Sequence, residues 1–178
     1  MVIIMEKPTI DEYLKNRLVN ANKIVVCCIG NELRGDDGVG PYIARQIMEK
    51  LAPEKQSIVT ILNCGEVPES FTSKIIEKKP THIILIDAAT IGESPGTVGI
   101  IEPEDLTGLA ISTHSLPLNV FTGYLREQLG GKVDIFGIGI QPKKVDFDDK
   151  LSPEVKRAAD RLAQILIDVF KIICDISR

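Results

Sequence analysis

Runs of consecutive apolar residues alternate along this chain with segments whose apolar residues recur every three or four positions. Unbroken apolar runs are typical of strands buried on both faces of a sheet, and the helical spacing is typical of amphipathic helices packed against such a sheet. The pattern predicts five strands, at KIVVCCIG, SIVTILN, THIILIDAA, GTVGIIEPED and KVDIFGIGI. The alternation in GTVGIIEPED is weak, which favours an additional edge strand there.

Helical periodicity occurs between the strands and at both ends of the chain. It predicts helices over TIDEYLKNRLVNA, YIARQIMEKLA, PESFTSKIIEKK, SLPLNVFTGYLREQL and the long segment that begins LSPEVKRAADRL. In the last of these, Ser152 is predicted to be the N-cap and Pro153 the first helical residue. This order predicts a three-layer α/β/α sandwich with a mostly parallel central sheet of about five strands. Residues 1–178 are expected to form a single domain, with 1–22 as a helical N-terminal extension.

Composition and charge narrow the class of function. A net charge of -4, scattered Lys and Arg, and the absence of Trp argue against nucleic acid as a partner. The chain shows neither a secretory signal pattern nor an uninterrupted apolar stretch of about 18 residues. We therefore expect a cytoplasmic, monomeric protein with no membrane span. The four cysteines lack a CxxC spacing and are predicted to be free and mostly buried.

Polar residues follow the carboxyl ends of the predicted strands, which is where ligands bind in parallel sheets. Asp36 and Asp37 follow the first strand, Asp87 ends the third, and His114 precedes a helix. An unpaired carboxylate at the rim of a buried strand is costly, although Asp87 could instead cap backbone N–H groups and His114 could be structural. Two carboxylates and an imidazole suit a divalent transition metal such as zinc or nickel. His82, at the start of a strand, has no polar company in the sequence and is assigned a structural role.

Four ordered motifs together resemble the nickel–iron hydrogenase maturation endopeptidases, in particular the branch that processes formate-hydrogenlyase-type hydrogenases. They are GNELRGDDGVGP, ILIDAA, STHSLPLNVF and GIGIQPKKVDF followed by LSPEV. The resemblance runs from about residue 24 to the terminal helix. It implies an endopeptidase that removes the C-terminal extension of a hydrogenase large-subunit precursor after nickel has been inserted.

The resemblance also implies the site residues. Asp37, Asp87 and His114 correspond to the three metal-binding residues of the family, and we expect these same residues to be catalytic. Nickel would come with the precursor, and no organic cofactor is expected. The loop after the second strand lines the cleft in the family, where the usual pattern is close to Asp-Gly-Gly. This chain has Asn63, Cys64 and Gly65 there, and only Gly65 carries over.

Substrate contacts are assigned to Asn31, Asp36 and Gly65. Asp36 is further predicted to hold its loop by accepting backbone N–H bonds, so that Asp36→Asn would have only a small effect. Two other functions stay open at this point. The first is a general metallopeptidase with its own zinc. The second is a non-proteolytic nickel chaperone or carrier.

Overall fold

The computed structural model describes residues 3–4, 7–52, 57–105 and 117–176, with side chains from residue 10 onward. All five predicted strands and all five predicted helices are present. The strands are β1 (Ile3–Ile4), β2 (Ile24–Ile29), β3 (Val59–Gly65), β4 (His82–Ala88), β5 (Val98–Ile101) and β6 (Asp134–Ile140). The helices are α1 (Lys7–Arg17), α2 (Val39–Lys50), α3 (Thr72–Lys78), α4 (Leu118–Gln128) and α5 (Pro153–Ile176). β1 was not predicted, because a two-residue strand is too short to show an alternating pattern.

The strands form one sheet in the order β1-β5-β6-β4-β2-β3. Four neighbouring strands are parallel to one another, namely β6, β4, β2 and β3. β5 pairs antiparallel with β6, and β1 pairs antiparallel with β5. The predicted edge strand GTVGIIEPED therefore lies one position in from the edge. Because the four parallel strands share one direction, their carboxyl ends meet at a single edge of the sheet.

Helices cover both faces of this sheet. One hydrophobic cluster joins α1, α2 and α5 to one face, and a second joins α3 and α4 to the other. β2 and β4 are buried along their whole length, as expected of parallel strands with helices on both faces. The predicted three-layer α/β/α sandwich is thus confirmed.

The two adjacent cysteines illustrate how the alternation of strand side chains builds these layers. Cys28 belongs to the cluster under α2 and α5, and Cys27 to the cluster under α3 and α4. All four cysteines are free and buried, as predicted. A hydrogen bond with the Cys64 thiol, together with burial, raises the pKa of Cys27. The thiols are therefore structural groups of the core.

Within the described ranges, no helix has the length and apolar character needed to cross a membrane.

A polar cluster ties α1 to the edge of the sheet that is formed by the amino-terminal ends of the parallel strands. The Arg17 guanidinium donates two hydrogen bonds to Glu102, at 2.6 and 3.0 Å, and two to Asp134, at 2.8 and 2.7 Å. Arg17 also donates to the Tyr13 hydroxyl and lies 4.2 Å from the centre of the Phe136 ring. Bidentate pairs of this kind fix geometry as well as adding energy. The N-terminal helix is therefore anchored to β5 and β6 by one arginine.

His82 lies beside this cluster. The sequence interpretation that His82 has no polar neighbours was therefore wrong. Its Nδ1 is 2.9 Å from the Thr81 hydroxyl and its Nε2 is 3.9 Å from Asp134 Oδ2. Burial lowers the pKa of His82, and the neighbouring Asp134 charge opposes this only in part. The structural role assigned to His82 agrees with its place at the edge away from the aspartate pair.

The Arg17 cluster predicts a loss of stability in acid. Burial acts to raise the pKa of Asp134, but hydrogen bonds and charge from Arg17 outweigh it and hold the pKa below its ordinary value of 3.8. A carboxyl of lowered folded-state pKa contributes stability above its unfolded value and loses it as pH falls through the folded value. We expect Asp134→Asn to remove part of the fall in unfolding free energy below about pH 4, measured by urea unfolding. An acid slope equal to that of the control Asp168→Asn would contradict this.

Candidate active site

Asp37 is positioned by the glycine that directly follows β2. Gly30 has φ +134, and a Cβ added there would clash with the carbonyl oxygen of Asp37, so only glycine allows the turn to fold back so closely. The residues Gly35–Gly38 form a 3-10 turn leading into α2, where the sequence had predicted a loop. Within it Asp37 is 1% exposed, and its Oδ2 accepts a hydrogen bond from the Asn31 backbone N–H at 3.0 Å.

Asp87 lies at the same edge, at the carboxyl end of β4. Gly40, in the first turn of α2, packs so closely that a Cβ there would clash with Ile29 and lie 2.8 Å from the carbonyl oxygen of Ile86. The start of α2 is thus pressed into the notch between the ends of β2 and β4. Asp87 follows Ile86 directly and is 7% exposed. Asp37 and Asp87 therefore both lie buried at the carboxyl edge of the sheet, which is where the sequence predicted them.

A buried carboxylate is costly unless hydrogen bonds or a positive charge offset the loss of water, and a cation is one partner that can do so. Carboxylate oxygens are among the ligands of divalent metal ions, and metal binding by Asp37 and Asp87 stays a prediction. Among the described residues, no set of three His, Cys, Asp or Glu side chains is grouped as a metal site. The third predicted ligand, His114, lies in 106–116, outside the described residues. The metal triad therefore stays a prediction, with two of its three members placed.

Asp36 binds the segment that joins β6 to α5. Its Oδ2 accepts hydrogen bonds from the backbone N–H groups of Lys143 and Lys144, at 2.8 and 3.0 Å. Its Oδ1 accepts from the backbone N–H of Ser152 at 2.6 Å, and the Ser152 hydroxyl donates to Oδ2 at 2.9 Å. The predicted loop-holding role of Asp36 is thus confirmed. The side chain is 1% exposed, and a direct contact of Asp36 with a substrate stays a prediction.

Ser152 lies directly before α5, as predicted for its N-cap, but its hydroxyl has a partner that the sequence did not predict. The helix α5 begins at Pro153, and the Ser152 carbonyl accepts the first helical hydrogen bond from Lys156 at 2.8 Å. The hydroxyl, however, donates to Asp36. The start of α5 is therefore fastened to the loop that carries both aspartates.

The other predicted contact residues lie in the same region. The Asn31 side chain accepts a hydrogen bond from the Leu33 backbone N–H at 2.8 Å. This bond holds the first turn of the segment 30–38, which we call the aspartate loop. Gly65 has φ +57, and a Cβ there would meet no atom of the described residues within 4 Å. Substrate contacts at Asn31 and Gly65 stay predictions. Gln141, which directly follows β6, accepts hydrogen bonds at 2.8 to 3.4 Å from the backbone N–H groups of 91–93.

Comparison with known proteins identifies relatives over most of the chain. A family model described as "HycI: Hydrogenase maturation protease" matches residues 41–169. The "Hydrogenase 3 maturation protease" of Escherichia coli K12 is 34% identical, over 80% of this chain and 87% of its own length. A Methanocaldococcus jannaschii relative is 39% identical, over 90% of this chain and 95% of its own length.

Solved structures that resemble this chain belong to proteins of the same kind. The [NiFe] hydrogenase maturation protease HycI of Thermococcus kodakarensis is 38% identical and covers 89% of this chain and 99% of its own, with a TM-score of 0.79. The endopeptidase HycI of Escherichia coli is 31% identical and covers 80% and 87%, with a TM-score of 0.67.

Proposed function

The chain belongs to the hydrogenase maturation protease family and is a hydrolase of peptide bonds, and we propose that it removes the C-terminal extension of a nickel–iron hydrogenase large-subunit precursor. The observation that carries the proposal is the placement of Asp37 and Asp87, both buried, at the same carboxyl edge of the sheet. Carboxylates so placed combine an attraction for a bound cation with the capacity to move a proton. The experiment is incubation with the purified precursor, followed by mass measurement of both products.

Peptide hydrolysis places the oxygen of a water molecule on the scissile carbonyl carbon and a proton on the leaving amine. In this chain either carboxylate of the pair can accept the water proton and return it to the amine. The Asn31 backbone N–H fixes the orientation of Asp37. The Asp36 contacts with the segment after β6 hold the whole loop in place. Buried surroundings strengthen each of these interactions, since there is little water to screen them.

We further propose that the metal is nickel and that it belongs to the substrate. Asp37, Asp87 and His114 would bind the nickel already seated in the precursor, so that cleavage follows correct loading. Nickel held in this way would supply positive charge to polarise the scissile carbonyl. Two carboxylates and one imidazole fit this ion and leave coordination positions for ligands of the precursor.

One experiment distinguishes the two other functions from this one. A peptidase with its own zinc would retain metal through purification and cut unrelated peptides. A nickel carrier would bind the precursor without cutting it. Capture of the precursor on the immobilised protein, followed by mass measurement and metal analysis, separates all three. Family membership and the placement of the carboxylate pair favour the protease that cuts the loaded precursor.

Nickel loading is expected to decide whether the precursor is cut. The nickel-loaded precursor should be cleaved once near its C-terminus. The nickel-free precursor should stay intact under the same conditions, since it brings no cation for the carboxylate pair. Both forms would be followed by mass measurement over time, and the nickel-free sample would then be loaded with nickel as the control. Equal cutting of both forms would refute nickel sensing and leave the peptidase assignment standing.

A further inference from the structure

Exposed apolar side chains lie on the loops that follow three of the parallel strands, at the edge that carries Asp37 and Asp87. Leu33 follows β2, Val67 follows β3 and Phe147 follows β6, and these side chains are 56%, 41% and 88% exposed. We call these three residues the apolar rim. A single exposed apolar residue is ordinary, but a phenylalanine this exposed, with two other exposed apolar residues on loops at the same edge, is typical of an interaction surface.

Hydrogen bonds between the loops hold the apolar rim in place. The Leu33 carbonyl accepts from the Asp148 backbone N–H at 3.1 Å, and the Gly35 N–H donates to the Asp148 carbonyl at 2.7 Å. Asp148 is the neighbour of the rim phenylalanine in the chain. The Gly30 N–H likewise donates to the Gly65 carbonyl at 3.0 Å, which joins the loops after β2 and β3. A surface held in this way loses little conformational freedom when a partner binds, which favours affinity.

The aspartate loop carries both a residue of the apolar rim and a residue of the proposed active site. Leu33 and Asp37 belong to one short loop, and Asp36 of that loop binds the segment that carries Phe147. A protein whose scissile bond reaches Asp37 would therefore come close to both of these loops. Aromatic and aliphatic anchors at the centre of a surface carry most of the binding energy in protein interfaces.

We propose that the apolar rim is the docking surface for the folded part of the protein substrate. This inference rests on the proposed function, because it takes a hydrogenase large-subunit precursor as the partner. The chemistry that fits is an apolar patch on the precursor next to the base of its C-terminal extension. A stable dimer of this chain buries about 800 Å² on each partner, whereas a phenylalanine contributes about 150–250 Å². The rim thus suits a transient enzyme–substrate encounter better than a second copy of the chain.

The test is the steady-state cleavage of the nickel-loaded precursor by wild type, Phe147→Ala and Leu33→Ala. We expect KM to rise about tenfold for Phe147→Ala and several-fold for Leu33→Ala, with kcat within about twofold, because an interaction equally strong in ground and transition states affects only KM. The matched control is Ile176→Ala. Ile176 is 69% exposed and ends the 24-residue helix α5, whose first residue adjoins the aspartate loop. KM of the control should equal that of wild type.

Two outcomes would overturn the proposal. One is a KM for both rim variants equal to that of wild type and Ile176→Ala. The other is a change only in oligomeric state, seen by sedimentation, which would assign the rim to a second copy of the chain. If wild type itself does not cut the precursor, the proposed function fails. Precursor binding to wild type and Phe147→Ala, measured by interferometry, then decides the docking proposal separately, with equal affinities counting against it.

Discussion

Replacing Asp37 with asparagine is expected to abolish processing while leaving the fold intact. The substitution removes a negative charge from the buried carboxylate pair and puts an amide oxygen in its place, which is a much poorer ligand for a divalent ion. Loss of groups that merely orient metal ligands costs about 10–100-fold, so loss of a ligand itself should lower kcat/KM for the loaded precursor by about 100-fold or more. The cleavage rate, followed by mass measurement, is the readout.

Stability should change little in Asp37→Asn. The asparagine oxygen can still accept the Asn31 N–H, so the free energy of unfolding is expected to fall by about 1 kcal/mol or less. The matched control is Asp168→Asn, an exposed position in the last half of α5 that should process normally. Normal cleavage by Asp37→Asn would exclude this carboxylate from the chemistry. A large fall in the thermal midpoint would mean that the lost activity reports unfolding.

The part of the fold that sequence predicted best is the part built from local patterns. IVVCCI and IILI are buried on both faces and contain no charged or strongly polar residue, so they have no stable place except the middle of a covered sheet. Because parallel strands point the same way, the polar residues after them had to gather at one edge. The placement of Asp37 and Asp87 at the same edge was therefore predictable. The two-residue β1 and the 3-10 turn at Gly35–Gly38 carry too few residues to show a period.

Bonding partners distant in sequence were not predictable. Asp36 is joined to Lys143 and Ser152, which are 107 and 116 residues away along the chain, and no local pattern marks such a pair. The polar surroundings of His82 were missed for the same reason, since Arg17 and Asp134 reach it from α1 and β6. The apolar rim was missed because exposure of Phe147 depends on what the folded chain leaves uncovered.

These partners of Asp36 reverse the small effect that its sequence context predicts for Asp36→Asn. A carboxylate accepts hydrogen bonds at both oxygens, and here each oxygen faces at least one backbone N–H. An asparagine must turn its NH₂ group, which donates only, toward Ser152 N–H or toward the N–H groups of Lys143 and Lys144. In either orientation a buried donor loses its acceptor and faces another donor.

We therefore expect Asp36→Asn to lower the free energy of unfolding by about 2–4 kcal/mol, because an unsatisfied buried donor costs about 1–3 kcal/mol and bonds to a charged group are the stronger ones. For a chain of this length that corresponds to a fall in the thermal midpoint of about 10 °C. Urea and thermal unfolding measure both quantities. The control is Asp149→Asn, an exposed aspartate of the same segment, whose stability should stay within about 0.5 kcal/mol of wild type. If Asp36→Asn unfolds at the wild-type midpoint, Asp36 does not fasten the start of α5 to the aspartate loop, and the rigid support inferred for Asp37 and for the apolar rim must come from the backbone hydrogen bonds alone.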